Sequence, residues 1–319
     1  MEYLWRAIAD KKIMETNNNV IKIENLHKSF KDVHAVNGLS FNVREGQLFA
    51  FLGVNGAGKS TTISIICGQL QADGGTVTVN GHSVDKNMDA VKRELGVVFQ
   101  NSVLDKSLTV YDNLKYKAAL YGISGAKFKE RLEDISSLLE LAPILKRTLG
   151  KLSGGQKRRV DIARAIIHSP KILILDEPTT GLDPQTRKVI WEVVEKLRKE
   201  DKVTVLLTTH YMEEAADADY VVIIDGGSIV AEGTPIDLKN RYTGDFITVY
   251  GVGAEQLAAL NVKYEEVAGG YRILVSDSGE ATRLIVAHPE MFTDYEVIKG
   301  KMDDVFLAVT GKKLGGGML

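Results

Sequence analysis

The segment Gly53-Val54-Asn55-Gly56-Ala57-Gly58-Lys59-Ser60 places three glycines ahead of a lysine and a serine. That is the phosphate-loop pattern: glycines let backbone N–H groups crowd round phosphates, and the start of a following helix faces them. Lys59 is then expected to reach the β- and γ-phosphates of ATP, and Ser60 to bind Mg²⁺. Thr61, the next hydroxyl, joins Gly53, Asn55, Gly56, Ala57, Gly58, Lys59 and Ser60 in the expected nucleotide-binding set. Further along, Ile172-Leu173-Ile174-Leu175-Asp176-Glu177 closes an apolar run on two carboxylates, as a buried strand does when it delivers acids to the carboxyl edge of a sheet. Asp176 is expected to hold Mg²⁺ through its water shell, and Glu177, turned to the other side, to polarise an attacking water. Leu152-Ser153-Gly154-Gly155-Gln156 precedes a helix rich in Lys157, Arg158 and Arg159. A serine and two glycines at a helix start form either an ordinary cap or an anion site.

Positioning these residues requires strands that end in loops. Short β-rich runs read at Val20 to Ile23, Ser40 to Val43 and Gln47 to Leu52, the last running into the glycine-rich loop and a helical pattern at Ser60 to Ile66. Strands follow at Thr76 to Val79 and Gly96 to Phe99, and Val110 to Leu141 is dominated by helical patterns, which implies a helical insertion. A helix from about Gly155 to His168, the strand Ile172 to Leu175, the helix Gln185 to Lys199, and strands Val203 to Leu207 and Tyr220 to Ile224 complete the series. Continuous apolar strands alternating with helices indicate a buried, mainly parallel sheet. After a short helix at Ile236 to Arg241 the pattern restarts, without a second phosphate loop, as a small α/β domain.

The bulk properties agree with a globular protein of two domains. The chain has 319 residues, 26% charged and 44% hydrophobic, with a formal net charge of -2, which is ordinary for a globular chain and offers no sign of nucleic-acid binding. The only cysteine, Cys67, excludes an internal disulfide and falls among apolar residues, where it packs as a small hydrophobe. No apolar run approaches the ~18 residues that span a bilayer, and the opening segment carries acids where a signal peptide carries only bases. Residues 1–19 are expected to be a disordered extension, with Met1 to Ile13 either a mis-assigned start or an appended remnant. The glycine-rich end, 312–319, is expected to fray.

The pentapeptide Leu152 to Gln156 is where the chain resembles one family, the ATP-binding cassette (ABC) ATPases. The resemblance runs from about Val20 to Arg241, and it implies a P-loop NTPase fold: a RecA-like sheet core with an antiparallel β subdomain and a helical insertion, here about 101–170. It implies that Ser153, Gly154, Gly155 and Gln156 close over the γ-phosphate of ATP held by a second copy, so that two chains sandwich two nucleotides head to tail. Phe30 looks like the aromatic that stacks on adenine, with a core phenylalanine as the alternative. Gln100 looks like the glutamine that senses Mg²⁺ and the nucleophilic water, Gly181-Leu182-Asp183 like the loop that addresses the opposite subunit, and Thr209-His210 like the switch histidine. The expected catalytic set is therefore Glu177, His210, Lys59 and Gln100; Ser60, Gln100 and Asp176 hold the metal; Asp183 joins the nucleotide site. Val54 stands where many members have proline, a departure that bears on loop stiffness more than on chemistry.

Met302-Asp303-Asp304-Val305-Phe306-Leu307 and Thr208 to Asp217 resemble segments of the ATPase subunits of daunorubicin-type resistance exporters. That similarity implies a peripheral subunit on the cytoplasmic face of the membrane, paired with a separate transmembrane permease, and export of a drug, antibiotic, lipid or glycan. Aromatic and apolar residues between Asn101 and Tyr121 are candidates to meet the permease. The alternatives are a soluble ABC ATPase acting on ribosomes or DNA, which a single phosphate loop and the lack of heptads and basic patches disfavour, and an importer ATPase with a regulatory tail. The segment 245–311 is expected to be a small accessory domain for dimerisation or regulation.

Overall fold

The computed structural model describes residues 18–258 and 260–311. It divides into two compact units: one runs to His210 and takes back Ile224–Ile229, and the other comprises Tyr211–Ile223 and everything from Val230 onward. The expected N-terminal extension, apart from Asn18 and Asn19, and the expected frayed end lie outside the described residues.

In chain order the first unit contains β1 (Asn19–Phe30), β2 (Val33–Arg44), β3 (Leu48–Leu52), α1 (Lys59–Ile66), β4 (Gly74–Val79), β5 (His82–Ser83), α2 (Met88–Glu94), β6 (Leu95–Val98), α3 (Val110–Ala119), α4 (Gly125–Leu138), α5 (Gly154–Ile166), β7 (Ile172–Asp176), α6 (Pro184–Asp201) and β8 (Thr204–Thr209). Two sheets organise it. An antiparallel sheet has the order β2-β1-β4-β5. The strands β3, β8, β7 and β6 lie side by side, all parallel, with registers Leu52↔Thr209, Asp176↔Thr208 and Val98↔Leu175.

Every residue of β3, β7 and β8 is buried, the signature of parallel strands covered on both faces. Their carboxyl ends carry the phosphate loop, Asp176-Glu177 and Thr209-His210, so three segments far apart in sequence reach one edge of one sheet. Helices α3, α4 and α5, with short 3₁₀ turns at Ala142–Ile144 and Leu149–Lys151, form the helical portion. Helix starts are set by side-chain caps: Thr109 Oγ1 accepts from Asp112 N, and Asp183 Oδ1 from Thr186 N with Pro184 in the first turn, each cap contributing about 1 kcal/mol.

β1 and β2 are each 12 residues long, three times the expected runs. Their outer faces carry Lys22, Glu24, Asn37 and Asn42, which hide the alternation, and the hairpin is irregular at several points. The pairing is completed by the backbone where side-chain pattern is silent.

The second unit contains α7 (Met212–Ala216), then β9 (Tyr220–Asp225) and β10 (Ser228–Gly233), which straddle the division, followed by α8 (Pro235–Tyr242), β11 (Asp245–Tyr250), α9 (Ala254–Ala258), β12 (Tyr264–Val267), β13 (Gly270–Val275), α10 (Ser278–Ala287), β14 (Tyr295–Lys299) and α11 (Met302–Thr310). Strands β11 to β14 form an antiparallel sheet in the order β12-β13-β11-β14. With the chain running β-α-β-β-α-β, this is the ferredoxin-like split βαβ arrangement. Its core joins Ile247, Val249, Ile273 and Val275 of the sheet to Leu257, Ala281, Met291 and Phe292. The segment Met302 to Leu307 begins α11, which packs on α8 and α7.

Candidate functional site

The glycines of the phosphate loop are required by geometry. Gly56 and Gly58 have φ of 83° and 109°, a region open to glycine at no steric cost. A β-carbon on Gly58 would also overlap the carbonyl oxygen of Ala35 and approach Gly227. Ala57 O in turn accepts from Gly227 N at 3.1 Å, so the loop is held on both sides. Asn55 and Gly56 are exposed at its tip, Thr61 is half-buried, and Thr62, which the motif does not single out, pins the helix start by donating from Oγ1 to Gly58 O at 2.9 Å.

Lys59 is 4% exposed. Its Nζ donates to Gly53 O at 2.6 Å and Val54 O at 3.1 Å and lies 3.8 Å from Glu177 Oε1. Burial holds its pKa below the usual lysine value, while Glu177 and then Asp176 pull it back up. The ammonium therefore sits beside an acid pair in a place that anionic oxygens would further favour.

Asp176 and Glu177 are both buried and do separate things. Asp176 Oδ1 accepts from Thr208 Oγ1 at 2.5 Å and from Ser60 Oγ at 3.4 Å. Glu177 Oε2 accepts from Gln100 Nε2 at 2.9 Å and Thr180 Oγ1 at 3.3 Å, and its Oε1 is 3.3 Å from His210 Nδ1. One carboxylate thus gathers Gln100, His210 and Lys59 around it. Glu177 has φ 45°, a left-handed conformation that costs a non-glycine residue on the order of 1 kcal/mol or more. It is held there by its N–H, which reaches Thr208 O and Thr208 Oγ1, each at 3.1 Å.

The donor set suits a hard cation. The Ser60 hydroxyl and the Asp176 carboxylate meet at 3.4 Å, while Gln100 is bonded to Glu177, the next residue along, and oxygen donors of this kind match Mg²⁺. Among the described residues no cluster of three His, Cys, Asp or Glu could hold a metal by itself.

Other expected residues lie apart from this cluster. Ser153 caps α5: its Oγ accepts from Gln156 N and its N–H donates to Gln156 Oε1, both at 3.2 Å, a reciprocal capping box at an exposed helix start. Gly155 is packed so that a β-carbon would press on Thr186, whose Oγ1 donates to Asp183 Oδ2 at 2.6 Å. The Ser153 helix start and the Asp183 cap are therefore neighbours. Phe30 ends β1 with 48% of its surface exposed, which excludes the core alternative and leaves a ring face available for stacking. Cys67 is buried and its thiol is pushed up to about 12, in line with a packing role.

Sequence reading missed Thr208 and Arg158. Thr208 is the residue of β8 paired with Asp176, and a threonine next to last in a buried strand is the one sequence signal that pointed to it. Arg158 is buried behind both carboxylates and bonds to the main chain around them; in sequence it is one base among three.

The sequence profile of the ABC transporter family matches residues 36–180. The linearmycin resistance ATP-binding protein LnrL of Bacillus subtilis (strain 168) is 36% identical, with 92% of this chain and 99% of that protein covered. The chain is an ABC transporter ATP-binding protein. Other members of this family are similar to this ABC ATPase along its length: the Nod factor export ATP-binding protein I of Cupriavidus pinatubonensis (strain JMP 134 / LMG 1197) at 37% identity, 92% of each chain covered, and the daunorubicin/doxorubicin resistance ATP-binding protein DrrA of Streptomyces peucetius at 36%, covering 91% of this chain and 92% of that one. Among solved structures, the post-hydrolysis dimer of the ATP-binding cassette MJ0796 bound to ADP and Pi superposes with a TM-score of 0.62 at 28% identity, covering 67% of this chain and 98% of that one. The ABC ATPase binds nucleotide. No helix among its described residues is long and apolar enough to cross a membrane.

Proposed function

We propose that this ABC ATPase is the motor of an exporter: two copies clasp two MgATP head to tail beneath a separate membrane permease, at the cytoplasmic face of the membrane. Lys59, the loop N–H groups and the dipole of α1 stabilise the phosphates. Phe30 stacks on the adenine. Ser60, Asp176 and Gln100 hold Mg²⁺, which when bound neutralises charge on the β- and γ-phosphates. Glu177 orients the attacking water and takes its proton, Gln100 and His210 fix the direction of the carboxylate, and Ser153, Gly154, Gly155 and Gln156 of the second copy close over the γ-phosphate, with Asp183 beside them. Phosphoryl transfer asks the protein for little more than positioning and charge stabilisation.

One observation carries the export half of this reading. The similarity to proteins named for drug resistance, antibiotic resistance and Nod factor export extends over about nine-tenths of the chain, well past the phosphate-loop core. The cargo class in this reading is a hydrophobic drug, antibiotic, lipid or glycan, the relatives named for linearmycin and daunorubicin/doxorubicin resistance supporting the drug and antibiotic members, and the residues 245–311 serve as an accessory, dimerising or regulatory domain. The test is purification from host membranes in mild detergent with partners retained, followed by mass spectrometry. A multi-span membrane protein at near-equal stoichiometry is the expected companion. Ribosomal or DNA-bound companions, or none, would leave an ATPase and end the transport reading.

A further inference from the structure

Three consecutive bases at the start of α5 have different fates. Lys157 is half-buried, and Arg159 Nη1 turns outward to Leu139 O at 3.2 Å and Glu140 Oε2 at 2.8 Å. Arg158 turns inward and is 7% exposed. Its guanidinium makes four hydrogen bonds, all to main-chain carbonyls: Nη1 to Phe99 O at 2.6 Å, Nε to Pro178 O at 2.6 Å, and Nη2 to Glu177 O at 3.0 Å and Asp176 O at 3.2 Å. No carboxylate is among those partners. Asp161, on the same helix, acts on it only through space and is itself bonded to Ser102 at 2.9 Å.

The four carbonyls mark the place where two neighbouring strands stop. The pairing of β6 and β7 ends at Val98↔Leu175, so Phe99 and Asp176 are the next residues out, beyond the β6–β7 ladder. Phe99 precedes Gln100, and Asp176 to Pro178 bracket Glu177. An unpaired carbonyl in so buried a place is costly, and a planar fork with five N–H donors can bridge two chain ends that a single ammonium cannot. The same fork is five residues along a rigid helix from Ser153.

We propose that Arg158 is a positioning residue for hydrolysis: its guanidinium locks the two backbone segments that carry Gln100 and Glu177 into one register with α5. None of these hydrogen bonds reaches the phosphate loop, so its loss leaves nucleotide affinity alone and loosens the alignment of water, glutamine and glutamate. The proposal rests on Glu177 and Gln100 acting as assigned above.

The test is steady-state ATPase activity of the purified full-length chain, with the affinity for a fluorescent ATP analogue measured alongside, for R158Q, R158K, Q100A, R158Q/Q100A and E177Q. A misplacement of about 1 Å at a reacting centre costs about 10²-fold, so R158Q is expected to lower kcat by about that factor with the analogue Kd within about twofold of the parent. R158K recovers part of the loss, since an ammonium can still meet two of the carbonyls. In the Q100A background the loss from R158Q shrinks to about tenfold or less, because the two residues act on one arrangement. A kcat within about threefold of the parent, a Kd that rises with kcat intact, or an undiminished loss in the Q100A background would each overturn the proposal. If R158Q does not fold, R158K carries the decision: a fall of about tenfold in kcat at constant Kd supports the assignment, and parental kcat defeats it. E177Q separates the premises, because parental turnover in that variant removes the base assignment whatever Arg158 does.

Discussion

The central sheet of the first unit and the sheet of the second bury charge very differently. At the carboxyl ends of β3, β7, β8 and β6 lie Lys59, Arg158, Asp161, Asp176 and Glu177, all buried. The sheet β12-β13-β11-β14 packs Ile247, Val249, Ile273 and Val275 into an apolar core. Its one buried acid, Asp245, is answered at once by Ser278 Oγ at 2.6 Å and Lys299 Nζ at 3.6 Å. Desolvating an ion costs several kcal/mol even after relaxation, and a fold that only needs to be stable fills such a place with hydrocarbon. In the reading proposed above, Lys59, Asp176 and Glu177 are retained for what they do to a ligand and Arg158 for the backbone it holds behind the two acids; the second sheet is built to be packed against.

The sharpest way to break that comparison is Glu177→Gln. Turnover should fall by about 10² to 10⁴ while ATP binding persists; near-normal turnover of the purified variant would mean that the buried acid is a structural one. Lys59→Ala comes next, with nucleotide affinity weaker by about 10- to 100-fold, the worth of a charge-assisted contact, read by titration of a fluorescent nucleotide. Thr208→Val removes the hydroxyl shared by Asp176 and Glu177 N. A loss of about tenfold in kcat and about 1 to 3 kcal/mol in stability is expected, and stability loss with unchanged kcat would demote the pairing to scaffolding.

The opposite result is expected from the second unit. Ile273→Ala should cost about 2 to 5 kcal/mol, from lost burial and the cavity left behind, with ATP hydrolysis at 25 °C within about twofold of the parent if that sheet takes no part in the chemistry. A parallel drop in kcat would erase the distinction between the two regions. The smallest effect belongs to His168, stacked on Tyr121 at 3.8 Å and bonded to Leu95 O. Burial first, and then Lys117, depress its pKa to about 4. The unfolded chain binds a proton at this position below pH 6.5 that the folded chain takes up only near pH 4. The penalty is thus absent above 6.5 and grows as pH falls. Allowing for partial exposure, His168→Gln should remove about 1 to 2 kcal/mol of acid destabilisation between pH 6.5 and 4, measured as urea midpoints along the pH series; an unchanged slope counts against it.

What could be read from sequence follows from the same physics. The phosphate loop, Asp176-Glu177 and the strands under them are legible because buried parallel strands are continuous apolar runs and because glycine, lysine and acid have few other reasons to stand at those spacings. Phe30 was readable in type but not in exposure. The long hairpin β1–β2 was seen only in part, since its outer face is polar and its pairing irregular. α2 and β10 escaped because Met88–Glu94 and Ser228–Gly233 are too short to display a period. Arg158 and Thr208 were invisible for a different reason: each acts through backbone or through a neighbour's side chain, and those partners are 18 or more residues distant in sequence.

With Glu177 as the base proposed above, its φ of 45° sets stability and activity against each other at a single position. Glycine would occupy that backbone without strain, and asparagine nearly so, yet neither can serve as a base reaching Gln100 and His210. A library of variants screened only for survival of heat would therefore enrich the very substitutions that silence the motor. Thermal improvement of this protein has to be sought elsewhere, in the hairpin or in the second unit, with residue 177 left untouched.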